Sequence, residues 1–201
     1  MVATMSRFLF GSAIICYFGT VSFAQERASE SRFSHKGLKA AIATASFDMI
    51  DERGLEEGEG GSLSIGYGFS DRFSIWATFL GSEHESSIRE GNLYDFGGVE
   101  LNFQHKFETE QNLQPYGKLG FGVYALEQRG SNAVLIGAGI NLGLGVDYFF
   151  SRHFGIGAEL MYKKLDYFEQ SEDVGRGDLV TDLDPNLNGD TLGFMLTLTI
   201  Q

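Results

Sequence analysis

The stretch LIGAGINLGLGVDYFFSRHFGIGAELMYKKLDY, residues 135–167, decides the fold of this chain. It alternates strictly between apolar and small or polar residues, with a single interruption at Ser151-Arg152-His153. Such a period of two predicts two β-strands joined by a tight turn. Each strand would exceed the usual length of about five or six residues. The apolar face comprises Ile136, Ala138, Ile140, Leu142, Leu144, Val146 and Tyr148, followed after the turn by Phe154, Ile156, Ala158, Leu160 and Tyr162.

The same alternation recurs along the rest of the chain. It predicts further strands near residues 38–47, 63–69, 73–79, 94–107, 115–125 and 192–200, which makes eight strands in all. If Phe69 faces Phe73 across its turn, Gly66 lies opposite Trp76, and an aromatic ring that covers a glycine helps to fix strand register. Gly97-Gly98 interrupts the alternation and is a candidate β-bulge. Short turns follow the second, fourth and sixth strands, whereas residues 51–61 and 171–190 form long acidic loops.

The first 24 residues have the features of an export signal. Arg7 precedes an apolar run, and Ser22-Phe23-Ala24 provides small residues at the positions that a signal peptidase reads. We therefore expect a signal peptide over 1–24, a mobile polar lead-in over 25–36 and one barrel domain over 37–201. Cys16 is the only cysteine and lies inside the signal, so disulfides do not hold the exported chain together.

The composition of the two faces indicates which of them points outward. The non-apolar face carries mainly Gly, Ser, Asn and Thr with isolated charges, which suits the crowded interior of an eight-stranded barrel. The apolar face has no charge along the middle of most strands, as contact with lipid requires. Aromatic residues collect near the short turns, where an interfacial girdle is expected: Phe69, Phe73, Phe107, Tyr116, Tyr148, Phe150 and Phe154. These features predict an all-β protein, an eight-stranded antiparallel transmembrane barrel of up-and-down topology in the bacterial outer membrane.

At this point the sequence resembles the small outer-membrane β-barrel family, of the OmpA-barrel and OmpX kind, over about residues 37–201. Residues 142–167 are similar to the final hairpin region of that family, and residues 191–198 are similar to the signal read by the barrel-assembly machinery. The chain departs from that signal by ending on Ile200-Gln201 instead of an aromatic residue. The resemblance implies an interior salt-bridge network that fills the barrel. The residues themselves leave a narrow wet pore open as the alternative. The candidate interior residues are Glu100, Asn102, Lys118, Asn141, Asp147, Glu159 and Lys163.

Residues 184–190 are a weak candidate for calcium binding. Asp184, Asn186 and Asn188 stand at alternate positions before Gly189, as in the first half of a calcium loop. The twelfth position would be Met195, so the bidentate glutamate is missing. Because Asp and Asn also form ordinary turns, the favoured prediction is that no metal or other cofactor is bound.

Charge and histidine placement narrow the functional classes. The net charge of −12 argues against nucleic-acid binding, which requires a basic surface. For an outer-membrane barrel, the expected partners are outer-membrane lipid, lipopolysaccharide and, during insertion, the barrel-assembly machinery. A lipid-modifying enzyme would need a nucleophile and base near the outer lipid face. His105 and His153 lie near short turns, His35 precedes the barrel, and His84 falls in a predicted external loop where no pattern fixes a catalytic partner. We therefore predict a monomeric, non-enzymatic barrel with an envelope or surface-interaction role through acidic external loops. The alternatives are a narrow porin-like channel and, less favoured, a lipid A-modifying enzyme.

Overall fold

The fold was analysed in a computed structural model that describes residues 33–50, 54–88, 91–131, 133–173 and 178–201. The predicted signal peptide, residues 1–24, and most of the lead-in lie outside the described residues. In the described ranges, no helix has the length and hydropathy needed to cross a membrane. These ranges contain nine strands: β1 Gly37–Met49, β2 Gly58–Gly68, β3 Phe73–Glu85, β4 Leu93–Lys106, β5 Leu113–Gln128, β6 Ala133–Phe149, β7 Phe154–Asp173, β8 Asp178–Asn188 and β9 Thr191–Ile200.

Eight of these strands close into an antiparallel barrel with up-and-down order, which confirms the predicted fold class. Consecutive strands from β1 to β7 pair with one another, β7 pairs with β9, and β9 pairs with β1. Closure leaves no free edge within the barrel wall, so the backbone hydrogen-bonding groups of the wall are satisfied. We call the end that carries residues 69–72, 107–112 and 150–153 the short-turn end, and the opposite end the long-loop end.

The additional strand β8 shows that the predicted loop over 171–190 is wrong. The strand β7 has 20 residues, whereas β9, its neighbour in the barrel, has only 10. Pairing with β9 stops at Lys163, and from Asp166 onward β7 pairs instead with β8. The upper part of β7 thus rises beyond the barrel rim, and β8 supplies the backbone partners that it would otherwise lack.

Strand register agrees with the sequence in the hairpins and differs in β4. Gly66 faces Trp76, as predicted. The proposed bulge at Gly97-Gly98 is wrong, because pairing with β3 and β5 is continuous there. Phe96, which precedes the glycine pair, is only 2% exposed and points inward in phase with the rest of its strand. A register shift lies instead on β6, between Ile136 and Gly137.

The two faces of the wall separate by polarity as the alternation requires. Outward side chains in the band near the short-turn end are large and apolar, and many are about half exposed, with Leu144 the most exposed of them at 68%. Inward side chains are small, polar or charged at mid-height and apolar toward the long-loop end. An apolar outer surface of this extent is stable only when something other than water covers it.

The end of the lead-in is packed into the barrel. Phe33 and His35 are both buried at the short-turn end, where their rings lie against the inward ring of Phe149. No sequence pattern indicates this packing, because two aromatic rings among polar residues have no strand or helix periodicity.

Candidate functional site

The interior of the barrel contains a buried ion pair at mid-height, between Lys163 on β7 and Glu100 on β4. Lys163 is fully buried, and its ammonium donates a hydrogen bond to Oε1 of Glu100. The same oxygen accepts from the hydroxyl of Tyr124 at 2.9 Å, and Oε2 accepts from the amide nitrogen of Asn102 at 3.1 Å. Because both carboxylate oxygens have donors, this charge is compensated despite its distance from water.

A second pair, Lys118 and Glu159, lies closer to the short-turn end. The Lys118 ammonium is 2.5 Å from Oε2 of Glu159, and the hydroxyl of Tyr116 donates to the same oxygen at 2.7 Å. The glycines of β6 make room for this group. A Cβ atom added at Gly143 would stand 2.6 Å from Oε1 of Glu159. The glycines on the inner face of β6 therefore leave space for the buried charge of Glu159 on the neighbouring strand β7.

A third pair closes the short-turn end. Lys106 donates to Asp147 at 2.9 Å and to the side-chain oxygen of Gln114 at 2.8 Å. The Lys106 ammonium also lies 4.3 Å from the centroid of the Phe149 ring, a cation–π distance. Charge pairs therefore occur at successive heights along the inner wall.

The seven residues predicted for the interior all point into the barrel. Asn141 donates to Asn102 at 2.9 Å and joins the central polar group. Sequence reasoning missed further inward residues because the alternation of each strand was not followed to its ends. Lys106 shares the phase of Glu100, and Lys39 shares the phase of the inward alanines of β1. The missed inward polar and aromatic residues include Lys39, Lys106, Gln114 and Phe149.

An apolar core occupies the interior toward the long-loop end. The rings of Phe96 and Tyr124 stack at 5.6 Å, and Phe47 meets Phe96 edge-on at 6.2 Å. The buried side chains of Leu165 and Tyr167 complete this part of the core. Among the ion pairs lies a cavity of about 40 Å³, lined in part by Glu100, Glu159 and Lys163. A cavity of that size holds about three water molecules.

The predicted aromatic girdle is present on the outer surface with one exception. Phe69 stacks on Phe73, and Phe150 stacks on Phe154, each pair with ring centroids 6.4 Å apart. Tyr148 is 46% exposed on the same outer surface. Tyr116 is the exception, and its assignment to the girdle is wrong. It lies inside the barrel because it shares the phase of Lys118, two positions along β5.

The calcium candidate is not formed as a loop. Asp184, Asn186 and Asn188 belong to the extended strand β8, which pairs with the upper part of β7. Asn188 uses its side-chain oxygen to accept the backbone N–H of Asp190 at 2.8 Å, as in an ordinary Asx turn. No cluster of three or more His, Cys, Asp or Glu side chains suited to a metal ion occurs within the described ranges.

His84 is buried in the wall and does not belong to an external loop, because β3 continues to Glu85. Its Nδ1 is 2.9 Å from the carbonyl oxygen of Glu56, so Nδ1 carries the proton and Nε2 is free to accept. Nε2 lies 2.9 Å from the hydroxyl of Ser82. His84 is 1% exposed and Ser82 is 7% exposed, so this hydrogen-bonded pair is enclosed among wall residues.

Comparisons with known proteins agree with the architecture. A family model described as "Outer membrane protein beta-barrel domain" matches residues 14–199. A search of curated proteins finds no match. Neisserial surface protein A is similar in structure, with a TM-score of 0.64, 12% identity and coverage of 82% of this chain and 97% of that chain. The outer membrane protein OprG from Pseudomonas aeruginosa has a TM-score of 0.62 and 16% identity, covering 86% of this chain and 100% of that chain.

At 12% and 16% identity, the two solved structures are evidence for the fold alone, and the family model assigns the chain to a family. That model spans most of the chain, and its description agrees with the closed barrel and the apolar outer band. The chain therefore belongs to the outer-membrane β-barrel domain family and is an integral barrel of the bacterial outer membrane.

Proposed function

We propose that this protein is a non-conducting barrel that acts in the envelope or at the cell surface through its long-loop end. The observation that carries the proposal is the filled interior. Ion pairs occupy the lower and middle levels, and the apolar core of Phe47, Phe96 and Tyr124 occupies the level above them. A water-filled path would have to cross this core, where water has no polar partners along the apolar side chains.

The alternative function is a narrow channel for small solutes, and planar-bilayer recording separates the two. We expect the purified protein to insert without stable openings. The double variant Phe96→Ala and Tyr124→Ala removes two stacked inward rings and should raise conductance. Phe121→Ala is the matched control, because Phe121 lies on the same strand as Tyr124 but is 55% exposed on the outer surface. Stable openings of nanosiemens scale in the wild-type protein would exclude the filled-barrel proposal.

The hairpin of β7 and β8 supports the surface role. Leu179 and Val180 are 54% and 53% exposed, and Asp182 and Asp184 make the same strand acidic. Within the described ranges, β8 pairs with β7 alone, so its other edge presents backbone groups to the surroundings. Edge strands of this kind accept extended segments of other proteins.

The wall just above the apolar band is also acidic. Glu59, Glu83, Asp95 and Glu127 stand directly beside one another on β2 to β5, in cross-strand register. Arg129 bridges two of them, at 2.5 Å from both Glu83 and Asp95. Like charges in register repel, so this row favours contact with cations or basic groups. Membrane lipid, lipopolysaccharide and the barrel-assembly machinery remain the partners that we expect for a monomeric barrel.

The orientation of the barrel can be tested on intact cells. Because the only cysteine is Cys16, a single introduced cysteine reports one site once the predicted signal is removed. We expect Leu179→Cys to react with a membrane-impermeant maleimide added outside, and Ser70→Cys, in a short turn, to react only after the outer membrane is opened. The reverse pattern of labelling would show that the long-loop end faces the periplasm.

A further inference from the structure

The segment that enters β1 lies inside the short-turn end of the barrel. Phe33 is 3% exposed and His35 is 0% exposed, although both belong to a polar lead-in. The ring of Phe33 is 6.1 Å from that of Phe149, and the imidazole of His35 is 5.2 Å from the same ring. Residues 33–36, which we call the stopper, therefore cover the layer of Lys106 and Asp147 on the side of the short-turn end.

Two hydrogen bonds hold the stopper to the barrel mouth, one on each side of β1. The backbone N–H of His35 donates to Oδ1 of Asp71, in the turn between β2 and β3, at 3.1 Å. The Nδ1 atom of His35 is 2.8 Å from the side-chain oxygen of Gln201, at the end of β9. Because that oxygen can only accept, Nδ1 must carry the proton, and the neutral imidazole has a bare Nε2. Nε2 is buried and has no hydrogen-bond partner among the described residues.

Protonation of His35 would place a third cation among buried cations. The charges of Lys39 on β1 and Lys106 on β4 both oppose a positive charge on the imidazole. The carboxylate of Asp147 on β6 is already bonded to Lys106. Asp71 is the acidic group that favours a positive charge on the imidazole, and its carboxylate already accepts the backbone N–H of His35. A proton on Nε2 would also be a buried donor without an acceptor. Burial, reinforced by Lys106, lowers the pKa of His35 from 6.5 to about 4.

We propose that the stopper is a pH-sensitive closure of the short-turn end, docked at neutral pH and released when His35 is protonated. The direction follows from linkage. A histidine whose pKa is lowered by docking stabilises the docked form above the pKa of the released form, near 6.5. That stabilisation is lost as pH falls from 6.5 to about 4, and the ratio of docked to released stopper should fall roughly 300-fold over that window. The barrel wall itself is unchanged, because its ladders do not include residues 33–36.

Trp76 is a built-in reporter of this release. It is the only tryptophan, and its ring lies 6.0 Å from the Lys39 ammonium, in the layer next to the stopper. We expect its emission to change sigmoidally between pH 6.5 and pH 4 in detergent-solubilised protein, while the β-sheet signal in circular dichroism stays constant. His35→Gln, which cannot be protonated, should abolish the change. His105→Gln is the matched control, because His105 lies at the same end of the barrel but on the outer face, with its ring 4.5 Å from that of Phe73.

A second variant tests whether the change in Trp76 emission reports release of the stopper or only the charge on the imidazole. Phe33→Ala removes a buried ring from the stopper but no titrating group, so the midpoint of the transition should move to higher pH. The proposal is overturned if wild-type emission stays constant down to pH 3.5, if the transition persists in His35→Gln, or if Phe33→Ala leaves the midpoint unchanged. None of these outcomes depends on whether the barrel conducts, so this inference stands apart from the proposed surface role.

Discussion

The ion pair of Lys163 and Glu100 provides the most direct test of how the interior is stabilised. Lys163→Met keeps the length of the side chain and removes its charge. Glu100 would retain the hydrogen bonds from Tyr124 and Asn102 but would be left as a buried anion without a cation. Both partners of the pair are almost fully buried, at 0% and 4% exposure, so solvent cannot take over this role. Removing one member of a buried pair usually costs about 3–5 kcal/mol, and we expect a loss of this size.

A second substitution tests whether that loss comes from the unpaired charge. Adding Glu100→Gln to Lys163→Met removes the buried anion while keeping a side chain that can accept from Tyr124. Most of the lost stability should return, because neutral or apolar replacement of a buried pair is often close to neutral. Arg129→Met is the matched control. Arg129 contacts Glu83 and Asp95 at the exposed rim, where such pairs contribute about 0–1 kcal/mol.

The assay is equilibrium urea unfolding of the barrel refolded into lipid vesicles, followed by Trp76 emission. At constant slope, the shift in midpoint converts directly into a change in the free energy of unfolding. The explanation fails if Lys163→Met costs no more than Arg129→Met. It also fails if the double variant is as unstable as the single one, since the loss would then reflect packing of the lysine stem instead of an unpaired carboxylate.

Two further substitutions use the same unfolding measurement. Leu144→Lys puts a charge on the outer face at a position that is 68% exposed, and it should cost about 2–4 kcal/mol in lipid; a cost near zero would argue against lipid contact there. Gly98→Ala places a Cβ 2.4 Å from the ring of Tyr124 and 2.9 Å from the carbonyl oxygen of Val123, so it should cost about 1–3 kcal/mol. Gly97→Ala, whose nearest contact would be 3.6 Å, should change stability by less than about 0.5 kcal/mol, and equal costs at the two glycines would contradict the packing described here.

Much of the barrel could be predicted because side-chain direction in a strand depends only on position along the strand. The hairpin of residues 135–167 shows this well. If Phe150 faces Phe154 across the turn, the alternation puts Asn141 opposite Lys163 and Gly145 opposite Glu159, and the strand pairing confirms both. The same rule, applied without exception, would have placed Tyr116 inside. Tyr116 was misjudged because its residue type was allowed to override its phase.

Other features could not be read from local pattern. The strand β8 arises because β7 outruns its barrel neighbour, and that mismatch exists only once β9 is in register beside it. The burial of Phe33 and His35 depends on an open mouth formed by distant strands. Neither feature has a periodicity of its own, so neither leaves a signal within a short window of sequence.

The sequence by itself determined the number of barrel strands, their register in the hairpins, the lipid-facing surface and therefore the membrane in which the protein resides. These follow from a period of two and from the cost of placing charge in lipid, both of which act residue by residue. Only the tertiary structure decided which charges pair, where the interior turns apolar and what closes the short-turn end. Those outcomes depend on which side chains meet across the barrel, and that is set by closure of the sheet, a property that no single strand contains.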